Sequence, residues 1–116
     1  MLAGKPFTVF GDGNDERDYV YVGDVVDAIV RSRNGSQRGP FNVGTGIGTS
    51  TNRIFELVAQ YCGHNEEAVH GSPRAGDINR ISLDSSKAKR ELGWSVATDI
   101  ESGLERTVEW FKQQAE

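Results

Sequence analysis

Cysteine is almost missing from this sequence: Cys62 stands alone among 116 residues. No intrachain disulfide can form, and nothing in the chain asks for an oxidising compartment. Histidine is nearly as scarce, and neither His64 nor His70 has a cysteine or acidic cluster at metal-ligand spacing around it, so no metal site is expected. Both read as surface or loop residues. No apolar run approaches the length that spans a bilayer, and MLAGKPFTVF at the start has too little apolar sequence for a signal peptide. A cytoplasmic protein is the expectation. Positive charge is not in excess either, since the net charge of -4 and the pI near 5.2 argue against nucleic acid or an anionic membrane as the main partner. An anionic ligand would need local arginines set in an acidic whole. Finally, Tyr-x-x-x-Lys does not occur, because Gly23, Val25 and Asn65 stand four positions after Tyr19, Tyr21 and Tyr61.

What remains has the composition of one globular domain. Hydrophobic residues make up 36% and charged residues 26%, and a chain of this length buries roughly 65% of its unfolded surface. PFTVF (6–10) is a short β-rich run that stops at the turn Gly11-Asp12-Gly13, and DYVYV (18–22) alternates in the manner of a second strand. Asp24 is placed to cap a helix on which Val25, Val26, Ile29 and Val30 fall at helical spacing. PFNVGTGIG (40–48) predicts a buried strand entering a glycine-rich turn, followed by a helix over 51–62 capped by Ser50 or Thr49 and ended by Gly63. The inward stripe of that helix is Ile54, Leu57, Val58 and Tyr61, with Cys62 a small apolar residue near the core.

Farther on, EEAVHGSPRAGD suggests a short strand and a loop, and ISLD leads to a cap at Asp84 before the short helix SSKAKREL, ended by Gly93. Thr98 and Glu101 have the form of a capping box, and Ile100, Leu104, Val108 and Phe111 give the last helix an apolar face that Trp110 widens. Short strands thus alternate with about four helices in an α/β fold. PFNVG is apolar along its length, as suits a strand buried on both faces, yet the chain supplies too few strands to bury it. It should join a sheet from elsewhere or pair with another copy, making a homo-oligomer through the unpaired strand.

Two arginines carry the chemistry: Arg17 after the first glycine turn and Arg74 in PRAGD. A guanidinium engages two oxygens of a diphosphate at once and keeps its charge at neutral pH. The competing assignment is a structural ion pair, because Asp18 follows Arg17 and Asp77 stands near Arg74. GTGIG departs from a dinucleotide fingerprint, which would want glycine where Thr49 stands, and a tight turn is the better reading.

FTVFGDGNDERDYVYVGDVVDAI, PFNVGTGIGTS, PRAGDINRISLDSSKAKRELGW and IESGLERTVEWF together resemble, in that order, the carboxy-terminal part of the NAD-dependent nucleotide-sugar epimerases and dehydratases. These are the extended short-chain dehydrogenases/reductases, with a Rossmann-type fold, and the UDP-glucose 4-epimerase branch is the nearest likeness. The resemblance implies that residues 1–116 form a single nucleotide-sugar-binding domain. Thr8 and Phe10 would border the uracil, Arg17 the diphosphate or ribose side with Tyr19 nearby, and Thr51 the nucleotide. Arg74 would meet the diphosphate and Asp77 the ribose hydroxyls, while Ile81 would border the sugar. Ala75 stands where the family usually has proline, which loosens the loop. Ile81 neither hydrogen-bonds a sugar hydroxyl nor fills the space of a ring, leaving N-acetylated sugars open.

In the family the NAD fingerprint and the catalytic Tyr-x-x-x-Lys precede this region. The chain is therefore expected to hold no catalytic residue, to bind a UDP-sugar, to bind no NAD by itself and to be inactive alone, its role being played in an NAD-dependent isomerase. A stand-alone non-catalytic module that binds a nucleotide sugar or pairs with an NAD-binding chain is one alternative, and part of a sibling dehydratase, reductase or decarboxylase is the other.

Overall fold

The computed structural model describes residues 1–2 and 7–114, the Asn34 side chain excepted. The elements run β1 (Thr8–Phe10), β2 (Glu16–Arg17), α1 (Val22–Asn34), β3 (Thr49–Ser50), α2 (Thr51–Cys62), β4 (Val69–Gly71), α3 (Ser86–Leu92) and α4 (Ile100–Gln114). β1 pairs parallel to β4, Val9 opposite His70, and β2 pairs antiparallel to β3, Arg17 opposite Thr49. Segment 79–81 adds a third row to the second ladder through a bridge between Glu16 and Arg80. These strands are too short to form a stable sheet alone, so the helices must hold them.

Two helix pairs do so. α2 lies against α4, burying Leu57, Ala59 and Val108, and α1 lies against α3 around Ala28, Ala88 and Trp94 with Phe41, Val43 and Leu92 packed alongside. Trp94 is 1% exposed, and its Nε1–H donates to the Asp24 carbonyl at 2.8 Å. The Asp24 carboxylate accepts from the N–H groups of Ala97 (3.2 Å) and Thr98 (3.0 Å) and from the Thr98 hydroxyl (3.3 Å). One residue thus fixes the entry into α4 to the first turn of α1.

Several local expectations give way to these tertiary bonds. DYVYV forms no strand: the ladder stops at Arg17 because the next residue's carboxylate takes backbone donors from two other segments, and α1 begins at Val22. Asp24 is not the cap of α1 but lies in its first turn, facing inward, with Tyr21 in the capping position. PFNVG is likewise no strand. Among the described residues no strand runs beside it, and its side chains serve instead: Phe41 and Val43 enter the Trp94 cluster, while Asn42 Nδ2 donates to the Asp84 carbonyl at 3.2 Å. The edge expected there for pairing with another copy is not formed.

Ser85, not Asp84, precedes α3, although Asp84 Oδ1 accepts from the Ser86 N–H. No capping box forms at Thr98, whose hydroxyl goes to Asp24. Asp99 accepts from the Ser102 N–H, and Glu101 pairs with Arg53 at 3.1 Å. The caps on α2 fall as expected, with Ser50 Oγ accepting from the Arg53 N–H and Gly63 closing the helix. Phe111 is not inward. It lies half exposed and edge-on to Trp110, their ring centroids 4.9 Å apart.

The molecule is a plate rather than a ball. Its radius of gyration is 16.5 Å and its thinnest dimension 18 Å, whereas a compact domain of this length would have a radius near 13 Å. A plate this thin covers only one face of α1. Val22, Val26, Ile29 and Val30 form a row on the other, 51 to 66% exposed, and a helix apolar on both sides is normally buried on both.

Two outcomes follow from this packing. Asp24→Ala should lower stability by about 1 to 2 kcal/mol, since it removes a buried carboxylate's bonds to the part-buried donors of Ala97 and Thr98, and urea unfolding reads the loss. Sedimentation should show concentration-dependent self-association of the chain that Val26→Asp with Ile29→Asp abolishes; a monomer at every concentration would refute it.

Candidate functional site

Where β1 ends, Gly11 and Gly13 take φ of 72° and 74°, angles that side chains avoid, and the chain doubles back. Asp12 holds the turn by accepting from the Asn14 N–H (2.9 Å) and Nδ2 (3.0 Å), and Asn52 Nδ2 donates to the Asp12 carbonyl. His70 Nδ1 lies 2.8 Å from the Gly11 carbonyl, which can only accept, so that nitrogen carries the proton. Across the ladder, PRAGD makes its own turn, the Asp77 N–H donating to the Arg74 carbonyl at 3.3 Å.

A cleft of about 420 Å³ opens between these turns, lined by Phe10, Asp12, Asp15, Arg74, Asp77 and Asn79 among others. The Arg74 guanidinium lies 3.9 Å from the centre of the Phe10 ring, which orients it by cation–π attraction, and among the described residues no acceptor takes its N–H groups. Neither Arg74 nor Arg17 is in an ion pair among the described residues, so the competing assignment of structural salt bridges is not realised. Three carboxylates share this cleft with one guanidinium. An anionic ligand there would call for a second cation.

The structure brings together Phe10, Arg74 and Asp77 of the expected site residues. Arg17 and Ile81 form a second group beside them: Arg17 Nη1 (2.9 Å) and the Ile81 N–H (3.1 Å) both donate to the Glu16 carbonyl. Thr51 opens α2 with its N–H bonded to the Asp15 carbonyl. Thr8 packs against Gly71 across the ladder. Tyr19 is set apart, in another cleft of about 390 Å³ with Ile47, Thr49 and Ile100. Asp12, Asp15 and Asn79 were not singled out from sequence. Their only signal is position, as short polar residues beside the two turns.

Asp18 organises the region behind the cleft. Its carboxylate accepts from the N–H (2.8 Å) and hydroxyl (2.6 Å) of Thr45 and from the N–H groups of Gly46 and Leu83 (2.9 Å each). A Cβ at Gly44 would lie 2.7 Å from Asp18 Oδ2 and 2.9 Å from Leu83 Cβ, so glycine is needed there for close approach. Because Asp18 already takes the amides of Thr45 and Gly46, the GTGIG loop does not fit a dinucleotide pyrophosphate. Nor is any group of three or more His, Cys, Asp or Glu among the described residues arranged to hold a metal ion, and no helix there is long and apolar enough to cross a membrane.

A family profile described as GDP-mannose 4,6 dehydratase matches residues 1–107. The chain belongs to this family. Among its relatives is a UDP-glucose 4-epimerase of Mycolicibacterium smegmatis, 43% identical over 119 residues, which takes in all of this chain and 37% of the relative. Among solved structures, the UDP-glucose 4-epimerase of Thermotoga maritima with UDP-glucose superposes with a TM-score of 0.95 at 43% identity, covering 100% of this chain and 38% of that one. The Thermus thermophilus UDP-glucose 4-epimerase with NAD gives 0.84 at 35% identity, covering 96% and 37%. The fold is thus the α/β architecture of the nucleotide-sugar epimerases and dehydratases, and the chain spans little more than a third of the relatives it matches.

The acid response of this family member should centre on Asp18. Burial pushes its carboxyl up, but the hydrogen bonds from Thr45, Leu83 and Gly46 outweigh burial and hold it below the ordinary 3.8. A lowered folded value means that the stabilisation is fully present above the unfolded value of about 3.9 and is lost as pH falls through the folded one. Asp18→Asn should therefore destabilise the fold at pH 7 and flatten the acid limb of stability measured by urea unfolding. The residual slope belongs to Asp12, Asp84 and Asp99, lowered by bonds from Asn14, Ser86 and Ser102. An unchanged slope in the variant would refute the assignment.

Proposed function

We propose that the chain is the nucleotide-sugar-binding domain, residues 1–116, of an NAD-dependent UDP-sugar 4-epimerase that interconverts UDP-glucose and UDP-galactose. The observation that carries this reading is the cleft in which Arg74 lies over Phe10 beside Asp77. A diphosphate suits a guanidinium whose N–H groups are free, and a ribose suits a carboxylate, which accepts from both hydroxyls. Uracil finds its match in backbone. The Phe7 carbonyl and the Gly11 N–H bond to β4, so by strand alternation Thr8 and Phe10 turn their polar groups to the opposite edge. A base that offers one donor between two acceptors pairs with such an edge.

Arg17 is the second cation that the acidic cleft calls for, with Thr51 and Tyr19 toward the nucleotide and Ile81 against the sugar. NAD, which accepts and returns the hydride at the sugar carbon, and the tyrosine that moves the proton belong to sequence outside these 116 residues. The chain alone binds without turning over. The open row on α1, Val22 to Val30, supports association with that NAD-binding part over an independent module, because a self-sufficient domain would cover it.

Calorimetric titration with UDP tests the site. Saturable binding is expected, weakened about tenfold or more by Arg74→Ala and by Arg17→Ala, in keeping with charge-assisted bonds of about 1.5 to 3 kcal/mol. Binding that survives both substitutions unchanged would refute it.

A further inference from the structure

We propose that the ion pair of Glu16 with Arg80 is a positioning device that sets the sugar-side residue Ile81 at a fixed distance from the diphosphate arginine Arg17; this rests on the site reading above. Glu16 Oε2 lies 2.8 Å from Arg80 Nε. It is shielded from water, and no donor among the described residues is aligned to hydrogen-bond it. A carboxylate oxygen in that state is tolerated only beside its counter-ion. The Glu16 side chain also has little freedom, because Gly48 abuts it and a Cβ there would lie 3.1 Å from Glu16 Cβ. Arg80 is the opposite case, 73% exposed.

The main chain shows what the pair governs. The Glu16 N–H donates to the Asn79 carbonyl at 2.9 Å, and the Ile81 N–H donates to the Glu16 carbonyl at 3.1 Å. Arg80 lies between those two bonds, so residues 79–81 are strapped to β2 by two backbone contacts and one ionic contact. The carbonyl that receives Ile81 also receives Arg17 Nη1 at 2.9 Å. One oxygen therefore registers the wall against the hexose with the cation for the diphosphate. Asn79, held by the same strap, lines the cleft itself.

The spacing matters only to a ligand that reaches both residues. UDP ends at the diphosphate and UDP-glucose continues past it, so their affinities separate positioning from general loosening. Glu16→Gln, Arg80→Gln and the double variant would each be titrated with both ligands, alongside Arg80→Lys and amide exchange at Ile81. Each single variant should weaken UDP-glucose about fivefold and UDP less than about twofold, with the double no worse than either single, as expected for one shared interaction. Faster Ile81 exchange should accompany the loss, and Arg80→Lys should recover most of it. Equal losses for the two ligands, additive losses in the double variant, or no loss would each overturn the proposal. A wild-type chain that binds neither ligand would overturn the site reading, and the proposal with it.

Discussion

The Asp18 carboxylate is the constraint on which the rest of this structure depends. It lies where β2 ends and takes donors from Thr45, Gly46 and Leu83, segments 27 to 65 residues away in sequence. Each bond to an ionised acceptor is worth about 1.5 to 3 kcal/mol, while an unmatched buried donor costs a comparable amount. Six residues later Asp24 repeats the device, accepting from Ala97 and Thr98 and offering its carbonyl to Trp94. The segment from Asp18 to Asp24 therefore gathers most of the later chain onto itself. A molecule with so few buried apolar side chains needs such ties, since its short strands give little ladder.

The same constraint shapes the cleft. Fixing the glycine loop and the ISLD segment to β2 leaves the turns at 11–13 and 73–77 facing each other across the β1–β4 ladder. Residues 72–78 are exposed throughout, as loops at the low-stability end of a molecule are, whereas residues 79–81 are bonded to β2. The row on α1 lies on a face of this 18 Å plate that the described residues leave uncovered.

The sequence by itself determined the helices, the turns and the family. Helix periodicity, the cap at Ser50 and the stops at Gly63 and Gly93 are local effects, carried within a few residues, and they survive in the structure. The two arginines stood out because charge in an acidic chain is itself a local signal. Tertiary structure decided the rest. PFNVG looked like a strand since its side chains are apolar, but a strand needs a neighbour, and the side chains went to the Trp94 cluster instead. Asp24 and Thr98 looked like caps, yet each found a better partner about seventy residues away. Asp18 carried no signal of its own, because a carboxylate next to an arginine reads as its ion-pair partner until the distant donors it accepts from are known. Hydrogen bonding across long sequence separation is invisible to any local pattern, and in this protein such bonds set the course of the backbone.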